Sequence, residues 1–132
     1  MDLAQVRDDL RAVMQAAGYN AYKYIPLDVN KYPAAFSGVP STMAKLTLTR
    51  WQITLPLTLL FNSASPEDAQ RRLDVALTPG TADSVYDALT TLTRTTGAAW
   101  TSLKFVGAGN VRTVKIGNGN ALACDITLEL TG

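Results

Sequence analysis

Arg50-Trp51-Gln52-Ile53-Thr54-Leu55-Pro56-Leu57-Thr58-Leu59-Leu60-Phe61 decides the fold. Trp51, Ile53, Leu55, Leu57, Leu59 and Phe61 fall on one side of an extended chain, and Arg50, Gln52, Thr54, Pro56, Thr58 and Leu60 fall on the other. A period of two with one apolar side is what a half-buried strand requires. Proline has no N–H to give to a ladder, so Pro56 predicts a sheet edge or a bulge at that point.

The alternation returns in the last third of the chain. There it predicts three antiparallel strands, at about 100–106, 111–116 and 121–130. Gly107-Ala108-Gly109-Asn110 and Gly117-Asn118-Gly119-Asn120 stand between them as hairpin turns. In the last and most regular strand Leu122, Cys124, Ile126, Leu128 and Leu130 face inward, while Asp125, Thr127 and Glu129 face outward.

The period changes to three and four elsewhere. Leu3, Val6, Leu10, Val13, Met14 and Ala17 form one stripe of a helix over 3–17 that Gly18 stops, with Arg7, Asp8, Arg11 and Gln15 toward the other side. Ser65-Pro66-Glu67-Asp68 is a helix start: a capping hydroxyl, proline at the first helical position, and acids in the first turn. That helix runs to about Leu77, with Ala69, Leu73, Ala76 and Leu77 inward, and Thr78-Pro79-Gly80 ends it. A shorter helix over 82–93 packs Val85, Ala88, Leu89 and Leu92. Residues 19–45 carry Pro26, Pro33, Gly38 and Pro40 among Tyr19, Tyr22, Tyr24, Tyr32 and Phe36, which predicts a long aromatic loop with a brief strand at 21–25. The order predicts an α+β domain over 1–132, an antiparallel β-sheet with helices packed mainly on one face.

Composition narrows the chemistry. The chain has 132 residues, 12 basic and 11 acidic, so its formal charge is +1. A core of this size needs no metal or disulfide for stability. Nothing in the charge pattern forms the basic stripe that phosphate binding requires, Arg71-Arg72 being a pair on one helix face, so sequence-specific nucleic-acid binding is not expected. The 51–61 segment is too short and too alternating to span a bilayer, and the N-terminus is unlike a basic, apolar signal; a soluble protein made in the cytoplasm is expected, with no membrane partner.

No histidine is present. That removes Ser-His and Cys-His nucleophile pairs and the commonest metal ligand together. Cys124 has no second thiol and sits in a core pattern, so it reads as an inert buried residue. Asp8-Asp9 and Glu67-Asp68 are neighbours on helices, where adjacent side chains diverge by about 100°; both pairs read as first-turn acids complementing the helix dipole. Neither glycine loop completes a dinucleotide fingerprint, because Arg112 and Leu122 occupy the third glycine position. No enzyme activity, cofactor or metal site is expected. The aromatic loop is the remaining functional candidate: Tyr32, Pro33 and Phe36 either tuck onto the domain's own sheet or dock on a neighbouring subunit. A small-molecule domain using that loop as a lid would need a pocket lined by Tyr22, Tyr24 or Tyr32.

The order of segments carries a family resemblance. After the N-terminal helix come Tyr22-Lys23-Tyr24-Ile25-Pro26 and Tyr32-Pro33-Ala34-Ala35-Phe36-Ser37-Gly38-Val39-Pro40, then Asp68-Ala69-Gln70-Arg71-Arg72-Leu73-Asp74, Pro79-Gly80-Thr81 and Ser84-Val85-Tyr86-Asp87-Ala88-Leu89. In order and spacing these resemble the tail terminator proteins of siphophages that infect actinobacteria, over nearly the whole chain. The chain departs from that family near Thr47-Leu48-Thr49-Arg50, where the family is richer in glycine. The resemblance implies a fold like the lambda-type tail terminator and a homo-oligomeric, six-membered ring. The ring would cap the head-proximal end of the tail tube and stop its polymerisation. Its implied partners are further copies of itself, the tail-tube protein and the head-tail connector protein; its implied place is the virion tail, after assembly in the host cytoplasm. Interface contacts are expected at Tyr24, Tyr32, Pro33, Phe36 and Arg50. The nearest alternatives are a connector stopper and a tail-tube subunit; tube subunits tend to carry long hairpins.

Overall fold

The computed structural model describes residues 3–47, 50–62, 66–80, 84–94, 100–116 and 119–132. The elements in order are α1 (Leu3–Ala16), β1 (Asn20–Tyr22), β2 (Ala34–Ser37), β3 (Thr42–Lys45), β4 (Trp51–Asn62), α2 (Pro66–Leu77), α3 (Val85–Arg94), β5 (Ser102–Ile116) and β6 (Gly119–Thr131). The fold is α+β: a six-stranded sheet in the order β1-β2-β4-β6-β5, with β3 beside the start of β4. Every strand pair is antiparallel except β1 with β2.

The helices share one face of the sheet. Val6, Leu10 and Met14 of α1, Ala69, Leu73 and Ala76 of α2, and Val85 and Leu89 of α3 pack in one cluster with Ile53, Leu55, Leu57 and Leu59 of β4 and Cys124, Ile126, Leu128 and Leu130 of β6. The period-two residues of β4 and β6 thus meet the period-3.6 stripes of the helices. Trp51 is the exception to the β4 reading, since it is outside that cluster and 37% exposed.

Helix ends follow local chemistry. Gly18, at φ 94°, closes α1 by donating to Gln15 O while Tyr19 N donates to Met14 O, the paired bonds of a Schellman cap. Ser84 caps α3, its Oγ accepting from Asp87 N, which puts the helix start at Val85. The predicted start at 82 lies outside the described residues, as does the predicted Ser65 cap. Asp8 and Asp9 are past the first turn of α1, so the dipole reading applies to Glu67 and Asp68 alone.

Two expectations are corrected and a third is met in part. The 19–45 segment is not one loop with a strand at 21–25: β1, β2 and β3 lie in it. Those strands are three or four residues long, too short for alternation to register. The Gly107–Asn110 segment is not a hairpin turn: β5 runs through it as one strand paired with β6 from Ser102↔Thr131 to Ile116↔Gly119, interrupted by register shifts between Phe105 and Gly107 and between Gly109 and Arg112. Gly and Asn there serve bulges, the other structure those residues favour. Pro56 lies at an edge only locally and not at a bulge: β4 has β6 on one side, and on the other it faces the gap between β2, which ends at Ser37↔Leu57, and β3, which begins at Thr42↔Thr54. Its carbonyl accepts from Gly38 N at 2.8 Å, so its nitrogen also points to that side, into the break between β2 and β3. No ladder bond to β6 is lost there.

Candidate functional site

The far face of the sheet is half covered. Val29 and the partly buried Tyr22, Tyr32 and Phe36 pack with Ala34, Leu60, Ala121 and Ala123 in a second cluster. The aromatic segment therefore tucks Tyr32 and Phe36 onto the domain's own sheet, one of the two arrangements expected for it. Burial, helped by Asp28 and Tyr22, pushes the Tyr32 hydroxyl above its ordinary value. Pro33, after a cis peptide bond, is half-buried, and its carbonyl accepts from Asn20 N at 2.8 Å.

Tyr24 and Arg50 are placed differently. Tyr24 is 60% exposed, with the Arg7 guanidinium 5.5 Å and the Lys23 ammonium 5.7 Å from its ring centre. Arg50 is exposed on the turn between β3 and β4, where its Nη2 reaches Thr101 Oγ1 at 3.4 Å. Phe36 pairs with Thr58, eight residues along β4 from Arg50, or about 26 Å at strand rise. Tyr32 and Phe36 come together; Arg50 stands at the opposite end of the sheet.

Arg7 is the largest departure from the sequence reading. Expected on the outer side of α1, it is 9% exposed. Its Nη1 donates to Ser37 O at 3.0 Å and Ser37 Oγ at 2.9 Å, and its Nη2 donates to Gly38 O at 3.0 Å. The fork of donors fastens α1 to the end of β2, where carbonyls would otherwise be buried without partners. The sequence held the signal: Leu3, Arg7, Leu10 and Met14 are spaced four, three and four. Beside it Lys23 pairs with Asp8 at 3.1 Å.

A second polar cluster lies on the open face of the sheet. Asp125 accepts from Thr58 Oγ1 at 2.8 Å and Asn110 Nδ2 at 3.0 Å, and Arg112 Nη1 is 3.2 Å from its Oδ2. Arg112 also donates to Asn110 O at 2.8 Å, and Asn110 sits in the left-handed region at φ 53°. Burial acts to raise the Asp125 carboxyl, but the bonds from Asn110 and Thr58 and the Arg112 charge outweigh it and hold the carboxyl below 3.8. This clasp pins the β5 bulge to the neighbouring strand. Cys124, on the helix side of the same strand, is buried, which raises its thiol above 9.0.

Two clefts flank these features. One, of about 480 Å³, lies between the end of α1 and α2, lined by Tyr19, Pro33, Phe61, Arg71, Arg72 and Val75. Its arginines are paired with Glu67 and Asp68. The other, of about 420 Å³, lies over Pro56 and Thr127 beside the β5 bulge. Neither is lined by Tyr22, Tyr24 or Tyr32, the residues a lid over a small-molecule site would require, and the crevice that Tyr22 does line, with Leu10, Met14 and Phe36, has no room for a ligand. Among the described residues no three or more Cys, Asp or Glu side chains converge as metal ligands, and no helix is long and apolar enough to cross a membrane.

Apart from Tyr24, the exposed apolar side chains were also missed by sequence reasoning. Met43 (54%), Leu46 (50%) and Trp51 are exposed on the β3–β4 hairpin, and Val106 and Val111 flank the β5 bulge. Tyr24, Ile25 and the fully exposed Leu27 are on the 23–33 segment. No protein-family model matches the sequence, and no curated protein does.

Proposed function

We propose that this chain is a self-assembling structural subunit of the tail terminator type, which forms a ring and caps a phage tail tube. Catalysis plays no part in the reading. It rests on the full-length resemblance of segment order and, in the structure, on one observation: among the described residues no further strand pairs with the outer edge of β5 on one side of the sheet or of β3 and β1 on the other. A head-to-tail contact joins two different surfaces of the same molecule, and such contacts close into rings when the rotation allows. Unpaired strand edges are ready joints for that purpose. The exposed Met43, Leu46 and Trp51 beside one edge add the apolar area that such a joint buries.

The β5–β6 hairpin favours a second reading, a tail-tube subunit, because its strands run 15 and 13 residues. Its far end weighs against a reaching arm. Asn62↔Ala121 is the last β4 pair and Ile116↔Gly119 the last hairpin pair, so the described hairpin extends only about two residues past the sheet.

Native mass spectrometry of the purified protein, alone and with tail-tube protein, tests the proposal. A closed ring that binds tube ends is expected; a strict monomer that leaves tube growth unchanged would refute it. Electron micrographs of a phage lacking the gene separate the two readings: overlong headless tails for a terminator, no tails for a tube subunit.

A further inference from the structure

We infer that neighbouring copies join by β3 of one adding to Ser102–Phe105 of the next, and that the two register shifts of β5, the second held by the Asp125 clasp, set the limit of that joint. The inference rests on the self-assembly reading and names its surfaces.

Two open edges lie at the same height on opposite sides of the sheet. Thr42 pairs with Thr54, Thr54 with Glu129, and Glu129 with Lys104; Met43, Ile53, Leu130 and Leu103 form the next row. Each edge offers four regular residues: β3 is Thr42–Lys45, and β5 keeps regular register from Ser102 to Phe105 before its first shift. The directions also match. β3 runs opposite to β4, β4 opposite to β6, and β6 opposite to β5, so β3 and β5 are antiparallel. A copy placed edge to edge in the same orientation thus continues the alternation of the sheet.

Side chains agree with that register. Directly opposed residues share a face, so carrying the rows across the joint sets Met43 of one copy against Leu103 of the other, both on the helix side. Met43 is 54% exposed and Leu103 partly buried in the isolated chain. Lys104 would face Thr42 and Lys45 would face Thr101, so no like charges are opposed.

The register shifts of β5 explain why the joint stops. Bulges kink an edge and block continuous pairing. The first shift, between Phe105 and Gly107, ends the regular segment, and Asp125 holds the second through Asn110 and Arg112. A 15-residue edge that could template indiscriminate strand addition is cut to a segment as long as β3.

Cysteine pairing reads the register directly, because Cys124 is buried and contributes no exposed thiol. Opposed Cα atoms about 5.5 Å apart in a ladder suit a disulfide. The full chain carrying both Met43→Cys and Leu103→Cys, oxidised under native conditions, should give a ladder of covalent oligomers that reduction abolishes. The mixed pair of single variants should give only a heterodimer, and Met43→Cys with Thr113→Cys, beyond the clasp, should stay uncross-linked. Rapid homodimers of either single variant with no ladder from the double would mean a two-fold joint and overturn the inference. So would a ladder from the Thr113 pair equal to that from the Leu103 pair. Native mass spectrometry of the wild type distinguishes the failures: a monomer there defeats the self-assembly reading itself, whereas an intact ring without the Met43–Leu103 cross-link defeats only this joint. Circular dichroism of each variant guards against misfolding.

Discussion

Replacing Arg7 tests the packing that holds α1 on the sheet. The side chain makes three hydrogen bonds of 2.9–3.0 Å and is 9% exposed. Bonds from a charged donor contribute about 1.5–3 kcal/mol each, so their gross value is roughly 4.5–9 kcal/mol. Taking the guanidinium out of water offsets several kcal/mol of that. Truncation removes the bonds and leaves the buried acceptors at Ser37 and Gly38 unpaired, which costs about 1–3 kcal/mol for each unsatisfied group. Arg7→Ala should therefore destabilise by about 3–4 kcal/mol, and Arg7→Lys, one point charge instead of a fork, by about 1–2 kcal/mol. Arg7→Met keeps the apolar stem but not the donors, and should fall between them. Urea denaturation followed by circular dichroism reads the change as a shift in midpoint at constant slope. Ser37→Ala in the Arg7→Ala background should cost less than Ser37→Ala alone, because the partners are already separated. If Arg7→Ala lies within about 1 kcal/mol of wild type, or Arg7→Met matches it, then desolvation cancels the bonds and the reasoning fails.

Gly38→Ala should destabilise by about 1–3 kcal/mol, since an added Cβ would stand 2.8 Å from Pro56 Cγ. Thermal unfolding of Gly38→Ala with and without Pro56→Ala checks it: the second change should recover part of the loss, and simple additivity would contradict the contact. Asp125 should make stability depend on acid pH. Its carboxyl is held below 3.8 when folded, so its contribution is present in full above the unfolded value and is lost as pH falls through the folded one. Asp125→Asn should flatten that part of the stability curve measured from pH 6 downward; an unchanged slope would show that the clasp is not charge-dependent.

Long, regular elements were legible because each carries its own periodicity. Ile53 to Phe61, Leu122 to Leu130 and the three helix stripes specify their buried faces without reference to anything distant. The α+β class and the one-sided helix layer follow from them. The candidate site was legible in part: the aromatic segment was marked out by composition, but whether its rings face home or outward depends on what lies across the sheet. Tyr32 and Phe36 meet Leu60, Ala121 and Ala123, residues remote in the chain whose small or apolar side chains make room for them.

Local sequence determined which segments extend, which coil and which sides are apolar, since those properties come from spacing over a few residues. Tertiary structure alone decided the rest. Gly107 to Asn110 reads as a turn by composition, yet it is a bulge because Asp125 and the β6 ladder hold it in the sheet. Arg7 reads as a surface residue by charge, yet it is buried because two carbonyls at the end of β2 need donors. In both places a polar group's position is set by partners fifteen or thirty residues away, and hydrogen-bond satisfaction is a property of the folded neighbourhood that no local pattern records.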